Sequence, residues 1–338
     1  MTSPTVAVLG LGLIGGSLAR RLAAQGIEVT GHDSSAATRA EAATAGILVT
    51  SDIEALCTAA PDVLVLAVPL RAMRPVATEV ARHLPATTLV TDVGSVKGPV
   101  RDVLDACGLG QQYVGAHPMA GTEHSGFAAS SESLLDGARW AVTVTERTRA
   151  DLLVTLLALV TGPAGGSAYV LTDEVHDEAA ALISHVPHAF AIELLNLVSA
   201  APVRDVALAL AAGSFRDGTR VGRTDPRRTE AMLTENAGWV APALRLAARD
   251  LEALATALEA NASAAEFFDR ADDVRAGWQP RGVDGPSSVS SGSPVQDGSG
   301  ERLTVDLAEP DGAGELVELC LAGWAVVSVQ GSLVGLHR

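Results

Sequence analysis

Aromatic side chains are scarce: two Tyr, five Phe and four Trp make up 3% of the 338 residues. The hydrophobic fraction is nevertheless 48%, so the cores must be built from Ala, Val and Leu, as helix-rich α/β proteins allow. Positive charge is also short. Lys and Arg total 24 against 40 Asp and Glu, a net charge of −16. Nucleic acid and anionic membranes are bound through clustered cations, so this balance argues against both as partners. An anionic metabolite stays compatible, because one local pocket can oppose the global sign. Cysteine is limited to Cys57, Cys107 and Cys320. They are odd in number, scattered and without C-x-x-C spacing. That excludes a disulfide framework or a cysteine metal site and fits reduced thiols in cytosol. No basic segment followed by an apolar core and cleavage site opens the chain, and no run of about 18 uninterrupted apolar residues occurs. The expectation is a soluble, cytoplasmic protein of two domains with a remainder.

What is present begins with Thr5-Val6-Ala7-Val8-Leu9, a β-branched run of the kind that forms a buried parallel strand. It leads into Gly10-Leu11-Gly12-Leu13-Ile14-Gly15 and a helical pattern to Gln25. A bare G-x-G-x-x-G is weak evidence, but strand before and helix after is the context of a dinucleotide site. Gly10 permits the tight turn, Gly12 the approach of a pyrophosphate, and Gly15 close helix–strand packing. Asp33 ends the next strand, 18 residues beyond Gly15, near the roughly 20 expected for the carboxylate that binds the adenosine ribose. That carboxylate accepts from the 2′-hydroxyl and repels a 2′-phosphate, which favours NAD over NADP. The strand Val63–Val68 stops at Pro69. Val68 and Pro69 therefore join Gly10, Gly12, Leu13, Ile14, Gly15 and Asp33 as expected cofactor contacts.

Strands and helices alternate on through Thr88–Val93, which predicts an α/β, Rossmann-type, doubly wound parallel sheet with ligands at the carboxyl ends of its strands. Asp92, Ser95, Lys97 and the run His117–Gly126 lie at such ends. The run His117-Pro-Met-Ala-Gly-Thr-Glu-His-Ser-Gly126 reads as a shaped loop that presents side chains, delivered by a strand over Tyr113–Ala116. Beyond Val144 the texture becomes helical. His176, His185 and His188 fall within thirteen residues and invite a zinc reading. At 100° per residue His176 and His188 diverge by about 120°, and no H-E-x-x-H spacing occurs, so no metal is expected. His185 reads as a core histidine and His188 as one facing a cavity. The divisions read from composition are a nucleotide-binding domain over 1–147, a helical domain over 148–276, a flexible Gly/Ser linker over 277–300 and a tail over 301–338. The tail reads strand–helix–strand and must dock on the body, dock on a partner chain, or stay loose.

The assembled pattern resembles the prephenate dehydrogenase family of tyrosine biosynthesis, which includes arogenate and cyclohexadienyl dehydrogenases. The matching runs are Gly10–Ala19, Asp92-Val-Gly-Ser-Val-Lys97, His117–Gly126, Ser184-His-Val-Pro-His188 and Phe215-Arg-Asp-Gly-Thr-Arg220. The resemblance implies an N-terminal Rossmann domain, a helical domain that forms a homodimer, and NAD as cofactor. It implies that His117 assists deprotonation of the ring hydroxyl of prephenate, with Ser95 near the same hydroxyl. His188 and Thr122 become substrate contacts, Glu123 sits near the pocket entrance, and Arg220 binds a substrate carboxylate. Feedback by tyrosine is a further implication. Two departures stand out: Gly218 where a bulkier residue is common, and Arg227-Arg228 where the family carries Met-Trp. The tail lies outside the resemblance and has the element order of half an ACT-type regulatory domain. Prephenate and arogenate are not separable from sequence. One rival is a β-hydroxyacid-type dehydrogenase, which would need a lysine in the helical half; Ala150–Gly277 has none. The other is a non-catalytic NAD-binding regulator, which the intact His117, Ser95 and Arg220 oppose.

Overall fold

The computed structural model describes residues 4–122, 124–277 and 301–338. Glu123, and the expected linker beyond Gly277, lie outside the described residues. The chain opens as β1 (Val6–Leu9), α1 (Leu13–Ala24), β2 (Val29–His32), α2 (Ala36–Thr44), β3 (Leu48–Val49) and α3 (Ile53–Thr58). It continues through β4 (Val63–Leu66), α4 (Leu70–His83), β5 (Leu89–Asp92) and α5 (Gly98–Ala106). The strands form a parallel sheet in the order β3-β2-β1-β4-β5. β1, β4 and β5 are buried along their whole length. Helices cover both faces, so continuous apolar runs rather than alternating ones specify these strands.

Next come β6 (Gly115–Pro118), β7 (Arg139–Thr143), α6 (Ala150–Thr161) and β8 (Ser167–Leu171). Here the purely parallel expectation gives way. β6 runs antiparallel to β7, and β7 parallel to β8. The long β6–β7 connection carries no crossover helix, so the chain returns antiparallel, whereas α6 crosses over between β7 and β8. His117 and Pro118 close strand β6, opposite Ala141 and Trp140, instead of opening a loop. Proline is tolerated there because it lies at the strand end, where a missing donor breaks no interior ladder. A bridge from Val90 to Tyr113, with Val114 N donating to Val90 O at 3.0 Å, joins this sheet to β5. α6 and β8 belong to the same sheet layer as β7, although the expected nucleotide-binding domain was bounded at residue 147. Leu152, Leu153, Leu156 and Leu157 of α6 are buried in the hydrophobic core.

The helical part begins with α7 (Asp173–Ala180), a π-helical turn over Ala181–His185, and α8 (Val186–Ala200). The three form one continuous helix, and the widened turn lies just ahead of Pro187, whose missing N–H and ring disturb the regular ladder. This helix is long and apolar enough to cross a membrane by length and composition, yet Asp173, His176 and Asp177 at its start are buried. Shorter helices α9 (Arg204–Ala209), α10 (Gly213–Thr219) and α11 (Pro226–Glu235) lead to α12 (Ala237–Glu259), α13 (Ala265–Asp269) and α14 (Asp272–Gly277).

The tail is built as β9 (Arg302–Asp306), α15 (Gly312–Leu321), β10 (Ala325–Gln330) and β11 (Leu333–His337). It has one strand more than expected, because Gly331-Ser332 makes a tight hairpin turn with Gly331 at φ +63°. β10 pairs antiparallel with β8 through Val326 and Ala168, giving the sheet order β6-β7-β8-β10-β11-β9. Leu316, Trp324, Val326, Val334 and Leu336 join the same core as α6 and β8. Of the three fates open to the tail, docking on the body is the one observed.

Candidate active site

The glycine turn has the geometry its sequence demands. Gly10 sits at φ +102°, and a Cβ there would lie 2.4 Å from the Ala67 carbonyl oxygen, so no other residue fits. A Cβ at Gly15 would lie 2.0 Å from Gly10 O, the close helix–strand approach anticipated above. Gly12 faces open space, as a pyrophosphate would require at the N-terminus of α1. Leu13 and Ile14 begin that helix, while Val68 and Pro69 follow β4, with Val68 against the Gly10 turn. The Asp33 carboxylate accepts from Leu11 N at 2.9 Å and Ser35 N at 2.9 Å. It is thereby fixed beside the turn, where a ribose hydroxyl would reach it. The residues present thus fit a dinucleotide.

At the carboxyl end of β5 a polar cluster lies under the first sheet's edge. Asp92 is fully buried and ion-paired with the equally buried Lys97. Lys97 Nζ also donates to Ala116 O at 2.7 Å, and Tyr113 Oη donates to Asp92 at 2.8 Å. Burial pulls the Lys97 pKa below the ordinary lysine range although Asp92 works against it, and burial next to Asp92 pushes the Tyr113 phenol well up. A buried pair of this kind is held by geometry more than by net stabilisation. Here it ties the turn Gly94–Lys97, and with it the half-buried Ser95, to the strand that carries His117.

His117 meets the helical part directly. Its Nδ1 lies 2.9 Å from His176 Nε2, and His176 Nδ1 lies 2.8 Å from Asp177 Oδ1. The same Asp177 carboxylate accepts from Lys97 N at 2.7 Å and Gly98 N at 2.9 Å, at the start of α5. Beside it, Arg101 grips Asp173 with two nitrogens and reaches Thr143 O at 3.4 Å. The first turns of α7 are therefore latched to α5. Burial first, then His176, Lys97 and His185, hold the His117 imidazole well below the ordinary histidine range, so it is neutral near pH 7. His185 is buried and brought down to about 4. Asn236 Nδ2 lies 3.0 Å from its Nδ1, and its Nε2 has no partner among the described residues. His188 is half-buried, with Nδ1 against Ser184 O at 2.8 Å.

The loop after Pro118 returns to the helical part through Arg228, whose Nη1 donates to Thr122 O at 3.4 Å. Thr122 is exposed, and so is Arg220, which opens the turn Arg220–Arg223 packed on α8. The glycine turn and Ser95 follow the carboxyl ends of the parallel strands β1 and β5, and His117 lies at the carboxyl end of β6, while Arg220 is exposed. Sequence reasoning gave no role to His176 and Asp177. The adjacent pair His-Asp one turn into a helix was the available signal, and it was absorbed by the zinc question. Among the described residues no three His, Cys, Asp or Glu side chains are arranged to hold a metal ion.

A glycine turn at the switch of a parallel sheet, a fixed carboxylate at the second strand and a neutral imidazole at the domain junction define a dinucleotide-dependent oxidoreductase with a helical second domain. Residues 18–170 match the family described as prephenate dehydrogenase, nucleotide-binding domain, and residues 172–270 match prephenate dehydrogenase, dimerization domain. The cyclohexadienyl dehydrogenase of Zymomonas mobilis is 36% identical over 75% of this chain and 88% of its own. A putative prephenate dehydrogenase of Corynebacterium glutamicum is 35% identical, with a TM-score of 0.75 over 82% of this chain and 88% of that one. The prephenate dehydrogenase of A. aeolicus, solved with hydroxyphenyl propionate and NAD+, has a TM-score of 0.73 at 29% identity, over 82% of this chain and 98% of that one. The chain belongs to the prephenate dehydrogenase family. The matched domains divide between residues 170 and 172, at the end of β8.

Proposed function

We propose that this chain oxidises and decarboxylates prephenate to 4-hydroxyphenylpyruvate with NAD, as a cytoplasmic homodimer serving tyrosine biosynthesis. The observation that carries the reading is the neutral His117 imidazole, latched to His176 at the domain junction. When bound, NAD supplies a hydride acceptor for the carbinol carbon of the ring. His117 takes the proton of the ring hydroxyl, a role suited to an imidazole that is unprotonated at working pH. Ser95, on the turn tied to the same strand, hydrogen-bonds that hydroxyl and helps to align it. Arg220 offers two parallel donors to a substrate carboxylate, and His188 and Thr122 are the further substrate contacts of this reading. Asp33 selects NAD through the ribose hydroxyls and disfavours a 2′-phosphate. Loss of carbon dioxide aromatises the ring and drives the reaction, so alignment is the main demand on the protein.

Homodimer formation is supported by the apolar surface of the helical part. Leu182, Ile183, Leu194 and Leu197 are exposed along one helix, within the segment that matches a dimerization domain. The test is steady-state kinetics with prephenate and arogenate, each crossed with NAD and NADP, with tyrosine added in a parallel series to read feedback. The expected result is the highest kcat/KM for prephenate with NAD. A higher value for arogenate, or for NADP, replaces that half of the proposal.

A further inference from the structure

The latch between α5 and α7 holds more than the two domains. We infer that Asp177 and His176 are positioning residues that fix the tautomer of His117 and leave its Nε2 as the basic nitrogen. This rests on the reading of His117 as the base. The direction of each hydrogen bond follows from the chemistry of the chain's end. Asp177 is surrounded by donors: His176 Nδ1, Lys97 N and Gly98 N, at 2.7 to 2.9 Å. Burial alone would raise its carboxyl, but these donors outweigh burial and hold it below the ordinary carboxylate range. An ionised carboxylate only accepts, so His176 Nδ1 carries the proton. With that one ring proton His176 has a bare Nε2, which must accept, and among the described residues the group within reach of it is His117 Nδ1 at 2.9 Å. His117 Nδ1 therefore donates, and the lone pair of His117 is on Nε2.

The other arrangement works against the reaction. If His176 were doubly protonated, it would donate to His117 Nδ1, and the proton of His117 would sit on Nε2. That nitrogen could not accept a hydroxyl proton. The ring planes stand at 74° with centroids 5.2 Å apart, an edge-on geometry that leaves no freedom for either ring to flip without losing a partner. His176 is 2% exposed, so no bulk water can substitute for His117 Nδ1–H as the group it accepts from. Asn236 Nδ2 closes the frame by donating to the Asp177 carbonyl oxygen at 2.8 Å. One carboxylate thus serves both sides of the junction. It caps the helix that follows Ser95, where the helix dipole favours a negative charge, and it orients the imidazole of the facing strand through His176.

The test uses the full-length enzyme and two substitutions at one position. His176→Phe keeps the ring volume and removes both hydrogen bonds. His176→Gln retains an amide oxygen that can accept from His117 Nδ1. Losing the carboxylate that holds a catalytic imidazole in its tautomer costs up to about 10⁴-fold in kcat. The expected result is a loss of at least about tenfold in kcat for His176→Phe, with KM for prephenate and Kd for NAD within about twofold of wild type. His176→Gln should recover most of that loss. In ¹⁵N-histidine spectra of the wild type, His117 should carry its proton on Nδ1. A smaller loss in His176→Phe, no recovery in His176→Gln, or a proton on His117 Nε2 overturns the relay. His117→Asn separates the two layers of the argument. If it keeps wild-type kcat, the base reading itself fails and the relay has nothing to position. If His117→Asn is inactive while His176→Phe is not, only the relay falls.

Discussion

The two halves of this molecule finish their cores differently. In the sheet half, whole strands disappear from solvent: β1, β4 and β5 are buried at every residue, and the tail adds a further layer of Val, Leu and Trp. In the helical half, α8 buries only Ala191 of its fifteen residues and α12 only Val240 of its twenty-three. Ile183 is 65% exposed, Leu197 60% and Leu210 78%. A sheet can close on itself with helices from its own chain. A bundle of long apolar helices with this few internal contacts is stable only when a second surface covers it. The sheet half is closed by its own chain, then, while the helical half leaves open the apolar surface that the proposed second copy would cover.

The largest expected effect comes from breaking the open half. Ile183→Asp with Leu197→Asp would force carboxylates into an apolar contact, at several kcal/mol each. Dimer affinity should fall by about 10⁴-fold or more, read by sedimentation at micromolar concentration; an unchanged dimer would mean that the two copies meet elsewhere. Next in size is His117→Asn, at the junction of the halves. It should lower kcat by about 10²–10⁴-fold while NAD binding and dimerisation persist. A variant with more than about a third of wild-type kcat would remove His117 from the chemistry. On the closed side, Trp324→Ala should cost about 3–5 kcal/mol of stability, because the ring is 6% exposed in the core shared with α6 and β8. Thermal or denaturant unfolding gives the value, and a cost under about 1 kcal/mol would show the tail to be loosely attached.

The smallest effect is a pH slope. His185 is neutral and held down to about 4, by burial first and then by His176 and His188, whereas an unfolded histidine titrates near 6.5. Between those values the unfolded chain binds the extra proton, so stability falls as pH falls from about 6.5 to about 4, by up to about 1.4 kcal/mol per pH unit for such a group. His117, held down in the same direction, adds to the slope. His185→Gln should flatten the dependence of the unfolding free energy on pH in that window. An equal slope in wild type and variant would assign it to other groups.

What could be read from the sequence was local. Gly10, Gly15 and Asp33 were legible because each answers a constraint within a few residues or one βαβ unit: a positive φ, a helix pressed on a strand, a carboxylate at a strand end. What was not legible is set by contacts far apart in the chain. His117 and His176 are 59 residues apart, and Lys97 and Asp177 80 apart, with nothing in either segment to announce its partner. Residues 148–171 look helical and apolar, but which sheet α6 covers depends on the edge of β8 and on β10, more than 150 residues later. The strand over His117-Pro118 was missed because proline argued against it, and β11 because the Gly331-Ser332 turn was not read as a hairpin.

Lys97 is the only lysine in the chain, and its amine is sealed between Asp92 and the Ala116 carbonyl. Every other cation of the side chains is an arginine or a histidine. Reagents that seek side-chain amines therefore find no target on the folded surface. Acylation of Lys97 can proceed only when the region between β5, β6 and α7 opens, so its rate is a clock for that opening. The protein carries, at the centre of its catalytic junction, a built-in reporter of how often the two domains part.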